Sequence, residues 1–171
     1  MATMMARARR SAQPRSRGAE KLVRVEDEMI EVPDADAMRR FGAGLAATLR
    51  AGDLVVLSGP LGAGKTTLVQ GIGEGLGVRG PITSPTFVIA RVHPSLTGGP
   101  ELVHADAYRL GGVAEIDDLD LDAEVSEAVT VVEWGEGLVE GLTDDRLEVA
   151  IDRAEDDHRT VRVHPVGARW S

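Results

Sequence analysis

Apolar positions along the chain fall into two rhythms, and each rhythm predicts a different element. Residues 22–32 offer Val23, Val25, Met29, Ile30 and Val32 to a first strand, which Pro33 ends. Asp34 then stands where a helix cap is wanted. After it, Ala37, Met38, Phe41, Leu45, Ala46 and Leu49 recur at helical spacing, predicting an amphipathic helix to about Arg50 that packs on a sheet. Gly52 and Asp53 turn the chain into the continuous apolar run Leu54, Val55, Val56, Leu57, a strand, and residues 67–76 return to the helical rhythm. A connection rich in Gly and Pro follows over residues 75–85. Residues 86–92 and 101–106 read as two strands of a hairpin across the turn-prone segment 94–100. Residues 117–129 mix polar and apolar positions as one or two short helices on an acidic surface would. Residues 128–133, Ala-Val-Thr-Val-Val-Glu, form the clearest fully buried strand of the second half. No internal repeat is visible.

Composition narrows this picture. A chain of 171 residues with 43% hydrophobic positions suits one domain of ordinary size, and only 3% aromatics means that Val, Leu, Ile and Ala must fill the core. Cysteine is absent, which excludes disulfides and thiolate metal sites and is compatible with a reducing cytosol, so the expected location is cytoplasmic. No apolar run approaches membrane-spanning length. The net charge of −9 is unevenly placed: residues 1–24 hold seven basic residues against Glu20, a balance of +6, so the remainder carries −15. So acidic a body repels a phosphate backbone, and direct nucleic-acid binding by the folded domain is not expected. The basic start lacks an apolar core segment and does not read as a secretory signal. Residues 1–21 are expected to be a disordered basic extension, and 22–171 one folded domain.

The chemistry begins at residues 59–66, Gly-Pro-Leu-Gly-Ala-Gly-Lys-Thr, which satisfy G-x-x-x-x-G-K-[ST] directly after a strand and before a helix. Gly59, Gly62 and Gly64 allow backbone conformations that a Cβ would forbid, so that successive N–H groups turn inward around phosphate oxygens. Lys65 reaches the β- and γ-phosphates, the Thr66 hydroxyl can ligate Mg²⁺, and the following helix points its positive end at the same anion. Lys65 is one of only two lysines in the chain, the other being Lys21.

Two carboxylates are placed to meet that loop. Glu133 ends the buried strand 128–133 and should surface at the sheet edge; where it runs parallel to 54–57, Glu133 can meet the metal or orient a water. Its other reading is a solvated acid that starts a loop. Asp106 ends the strand Leu102-Val-His-Ala, and only one of Asp106 and Glu133 need touch Mg²⁺, which keeps several of its waters. His104 reads either as a base or as a structural strand histidine. Arg109 can cover a phosphate or pair with the acidic body. Thr86, in Ser-Pro-Thr-Phe, follows the flexible connection at a place where nucleotide switches sense a γ-phosphate, or else merely enters a strand behind Pro85.

Taken in order, Gly-Ala-Gly-Lys-Thr-Thr at 62–67, Ser-Pro-Thr-Phe at 84–87, His-x-Asp-x-Tyr-Arg-Leu at 104–110 and Glu-Trp at 133–134 resemble the TsaE (YjeE) family, from about Val32 to Val163. The resemblance implies a P-loop NTPase-like α/β fold with a mixed, partly antiparallel sheet flanked by helices. It also implies Mg²⁺-dependent ATP hydrolysis, slow without partners, in making the threonylcarbamoyladenosine modification of tRNA. The implied partner is the TsaB–TsaD transferase, which hydrolysis resets between turnovers; tRNA is reached only through that complex. Carried over by position, Leu61, Gly62, Ala63, Gly64, Lys65, Thr66 and Thr67 hold ATP phosphates, Thr66 and Glu133 hold Mg²⁺, Thr86 is the switch threonine and Asp106 the second strand-end acid. Trp134 matches the tryptophan beside the metal acid. A purine pocket is implied around the segment Pro33 to Asp36, with Asp34, and the turn His158-Arg159. Gly135, where many members carry Pro or Ala, and the basic start depart from the family pattern. A small P-loop kinase shares the loop but needs a second substrate pocket and an arginine-bearing lid, whereas residues 117–127 are acidic. A GTPase lacks its N-K-x-D signature here.

Overall fold

The apolar run after Gly52 and Asp53 becomes the middle of the sheet. In the computed structural model, which describes residues 25–84, 90–107, 126–133 and 143–171, the elements are β1 (Glu28–Val32), α1 (Ala35–Ala46), β2 (Leu54–Ser58), α2 (Lys65–Leu76), β3 (Ala90–His93), β4 (Glu101–Asp106), β5 (Ala128–Glu133), β6 (Arg146–Arg153) and β7 (Arg159–Val166), followed by a 3₁₀ turn, Ala168–Trp170. The strands form one seven-stranded sheet in the order β1-β7-β6-β2-β5-β4-β3. Its four central strands, β6, β2, β5 and β4, run parallel. β3 at one edge and β7 and β1 at the other are antiparallel, so the sheet is mixed, as expected.

Burial follows the pleat. Val55, Leu57, Val129, Val131, Leu102, Leu147, Val149, Ile151, Val161 and Val163 share one core with Met38, Leu45, Leu68, Val69 and Ile72 of the two helices. The alternate positions Leu54, Val56, Val103, Ala105, Ala128 and Val132 form a second cluster. Each fully buried Val or Leu contributes roughly 1.5–3 kcal/mol, which makes β2 and β5 the most strongly anchored strands. The helices approach closely because glycines face the contact: a Cβ on Gly71 would run into the Arg39 carbonyl, and one on Gly42 into that of Leu68.

Several predicted boundaries shift. β1 begins at Glu28 among the described residues, not at residue 22. α1 ends at Ala46 and not near Arg50, because Thr48 and Leu49 turn back on Leu45 and Ala46 with short-range bonds and the Arg50 N–H donates to the Asp53 carboxylate. α2 starts at Lys65, two residues before the predicted start. The expected hairpin is present as β3 and β4. β6 and β7, absent from the predicted elements, carry period-two alternation at Leu147, Val149 and Ile151 and at Val161 and Val163. Thr86, Arg109, Trp134, Gly135 and most of the predicted helical stretch 117–129 lie outside the described residues.

Candidate phosphate-binding site

Strand register assembles the site. Leu57 of β2 and Asp106 of β4 are the two Cα partners of Glu133 on β5, so three parallel strands finish side by side and the loop 59–64 leaves from the same edge. Ligands of open α/β sheets gather beyond such carboxyl ends. Gly59, Gly62 and Gly64 all have positive φ, at 151°, 76° and 106°. At Gly59 a side chain would also collide with the Ile151 carbonyl, so glycine is demanded twice over. Gly64 caps α2 without a side-chain bond, and the first N–H donors of that helix face the loop as a positive end suited to an anion.

These residues line one cavity of about 600 Å³. Leu61, Gly62 and Gly64 supply its loop wall, Lys65, Thr66 and Thr67 its helix wall, and Asp106 and Glu133 its strand-end wall. Asp34 and Arg159, 125 positions apart in the sequence, close it from α1 and β7. Ala63 is wholly buried and does not line the cavity; its backbone shapes the loop. Ala35, within the segment implied for the purine pocket, lines it too, as do Met38 and Ser84, which were not among the candidates: Met38 reads as an ordinary apolar helix position and Ser84 as part of a turn.

Lys65 is only 6% exposed, and its Nζ donates to the carbonyls of Gly59 (2.8 Å) and Pro60 (3.0 Å). Burial pushes its pKa down from the ordinary lysine value, while the charges of Glu133 and then Asp106 pull it back up. Glu133, expected at the surface, is instead 3% exposed: its Oε1 accepts from Nε2 of His104 at 3.0 Å, and His104 has no exposed surface. Asp34 is the N-cap of α1, its Oδ1 accepting from the Ala37 N–H at 2.7 Å. Arg159 braces the loop from the β7 side of the cavity: Nε donates to the Ala63 carbonyl (2.9 Å) and Nη2 to that of Gly62 (3.3 Å).

The donor set fits a magnesium–nucleotide pair. A hydroxyl and two carboxylates are hard oxygen donors, the glycine loop is a backbone cradle, and the cavity has the size of small-molecule sites. Among the described residues no group of three or more His, Cys, Asp or Glu converges as an all-protein metal cage. Mg²⁺, which takes one or two protein ligands and fills its octahedron with phosphate oxygens and water, needs none.

A parallel sheet core with a glycine loop leading into the next helix places the chain among α/β proteins of the P-loop type. Residues 32–161 match the family described as "Threonylcarbamoyl adenosine biosynthesis protein TsaE". The tRNA threonylcarbamoyladenosine biosynthesis protein TsaE of Streptomyces coelicolor is 66% identical over 139 residues, covering 78% of this chain and 94% of that protein. The protein of the same name in Mycobacterium tuberculosis is 47% identical over 161 residues, covering 90% and 86%. The crystal structure of Bacillus subtilis YdiB superposes with a TM-score of 0.68 at 30% identity, covering 85% of this chain and 89% of that one. The chain belongs to the TsaE family.

Proposed function

We propose that the chain is the Mg²⁺-dependent ATPase of tRNA threonylcarbamoyladenosine formation, acting as a nucleotide switch on a TsaB–TsaD type transferase in the cytoplasm. The observation that carries the reading is the single cavity joining the glycine loop and Lys65 to two strand-end carboxylates. When bound, Mg²⁺ would be held by Thr66 and Glu133 and would supply positive charge against the charge that develops in phosphoryl transfer. The protein's own part is positioning. Lys65 exchanges its two loop carbonyls for phosphate oxygens, the N–H groups at the start of α2 bind the same anion, and Thr66 and Glu133 supply metal ligands. Asp106, beside Glu133 in the register, or Glu133 itself orients water, and Thr86 reports the γ-phosphate to the partner. Arg159 and Asp34 border the purine.

Hydrolysis by the isolated chain is slow because the charge stabilisation is completed on the partner complex. Among the described residues no helix is long and apolar enough to cross a membrane. tRNA is engaged through the complex, since the body's charge opposes phosphate.

Pull-down of TsaB and TsaD by this chain, compared in ATP and in ADP, tests the switch; association that ignores the nucleotide, or none at all, leaves only a generic ATPase. Lys65→Ala is expected to abolish ATP binding, and Glu133→Ala to keep part of the binding and lose hydrolysis. Binding of Mg·ATP by Lys65→Ala as tight as the parent's would remove this site assignment. Transfer of phosphate from ATP to an added nucleoside instead of to water would favour a kinase.

A further inference from the structure

Glu133 is held by more than its strand. On the helix-facing side of the sheet, Leu102, His104 and Asp106 follow one another along β4, and Val129, Val131 and Glu133 along β5. Asp106 is Glu133's direct neighbour, while His104 faces Val131 one pleat further in and reaches diagonally to Glu133. The imidazole therefore stands among apolar positions, where a Leu or Val would be cheaper to bury. It has no exposed surface, and Nε2 lies 3.0 Å from Glu133 Oε1, whose side chain is 4% exposed. Nδ1 is buried with no hydrogen-bond partner among the described residues. A ring carrying its proton on Nε2 leaves only a lone pair unpaired there, not a donor, so the geometry selects the Nε2–H tautomer.

We infer that His104 is the positioning residue of Glu133. By donating to Oε1, it fixes the carboxylate's rotation and leaves Oε2 for the cavity that Glu133 lines. The arrangement is that of a ligand oriented by a hydrogen bond from behind, the kind of support whose loss typically weakens metal binding 10–100-fold. This inference rests on the magnesium–nucleotide reading above.

The test compares His104→Leu, His104→Gln and His104→Asn in the full chain. A Gln amide reaches the place of Nε2 and keeps the donor, whereas the shorter Asn side chain does not. A fluorescent ATP analogue is titrated in EDTA and then against Mg²⁺, with thermal unfolding as a check on folding. His104→Leu and His104→Asn are expected to leave nucleotide affinity in EDTA unchanged and to raise the Mg²⁺ midpoint about 10–100-fold, with His104→Gln near the parent. Should the Leu variant fail to fold, the contrast between Gln and Asn decides. An unchanged Mg²⁺ midpoint in the Leu or Asn variant, or equal shifts in Gln and Asn, overturns the inference while leaving the nucleotide site standing. A parent chain that binds no nucleotide, or binds it without Mg²⁺ dependence, overturns the functional reading and this inference with it.

Discussion

His93 illustrates how a buried titratable side chain ties stability to pH away from the phosphate loop. It ends β3, is 7% exposed, and its Nδ1 pairs with the Arg79 carbonyl at 3.1 Å. Burial lowers its pKa, the Arg79 carbonyl opposes that shift, and the charge of Arg91 adds to it. Because the folded value lies below the unfolded one, the unfolded chain binds more protons between them. Stability is therefore full above about pH 6.5 and falls as pH drops from there through the lowered value. Urea midpoints measured from pH 7.5 down to 5 should decline in the parent and decline less in His93→Asn, whose amide can still donate to Arg79; parallel curves would exclude His93 as the source. Arg159 makes a different case at the same scale. Its fork holds two loop carbonyls that a single ammonium cannot hold in the same geometry, so Arg159→Lys should weaken nucleotide binding about tenfold in equilibrium titration, with little change in unfolding temperature. That Lys65, Thr66 and Glu133 share one cavity was legible in the sequence, from a local motif for the first two and a strand-end position for the third. The Arg159 contacts were not, since they join positions 96 and 97 residues apart and exist only after β7 has found its place.

Among elements, legibility followed burial. β2 and β5 are buried along nearly their whole length, and their continuous apolar runs identify them without context. β6 and β7 bury alternate positions only, with Arg146, Glu148, Arg162 and His164 between them, and in an acidic chain such a pattern resembles a polar loop. The end of α1 was misplaced because Leu49, which fits the helical rhythm, is buried after the helix has already turned. The packing of α1 on α2 was also hidden in the sequence. Gly42, Gly71 and Gly75 look unfavourable for helices, yet each removes a collision: a Cβ on Gly75 would meet the Ala46 side chain and the Ala43 carbonyl. Gly71→Ala should therefore destabilise by about 1–3 kcal/mol in chemical unfolding, despite the better helix propensity of alanine. Gly44 faces open space on the same pair of helices, so Gly44→Ala should stabilise slightly, by up to about 1 kcal/mol. Opposite signs for two identical substitutions would isolate interhelical approach from propensity.

Across the whole molecule, the strand that carries the phosphate loop is anchored at its far end. Asp53 precedes β2 and is 5% exposed; its carboxylate accepts from the Arg50 N–H at 2.8 Å and from Nε and Nη2 of Arg169 at 3.0 Å each. Arg169 also donates from Nη2 to the Thr48 carbonyl, and its guanidinium stands 4.2 Å from the ring centroid of Trp170, itself part of the main core. One guanidinium thus fastens the 3₁₀ turn after β7 to the turn between α1 and β2, closing the chain around the sheet. A two-point bond between buried partners contributes little compared with an apolar pair of the same shape, but losing one partner strands the other charge. Arg169→Met should cost about 3–5 kcal/mol, and Asp53→Asn combined with Arg169→Met less than the sum of the single changes. At temperatures where the variants remain folded, nucleotide affinity should match the parent, because the clamp sits at the amino end of β2 and the loop at its carboxyl end. A loss of nucleotide affinity in the folded Arg169→Met chain would mean that β2 transmits strain along its length to Gly59. Equal, additive losses in the double variant would mean that the two side chains act independently.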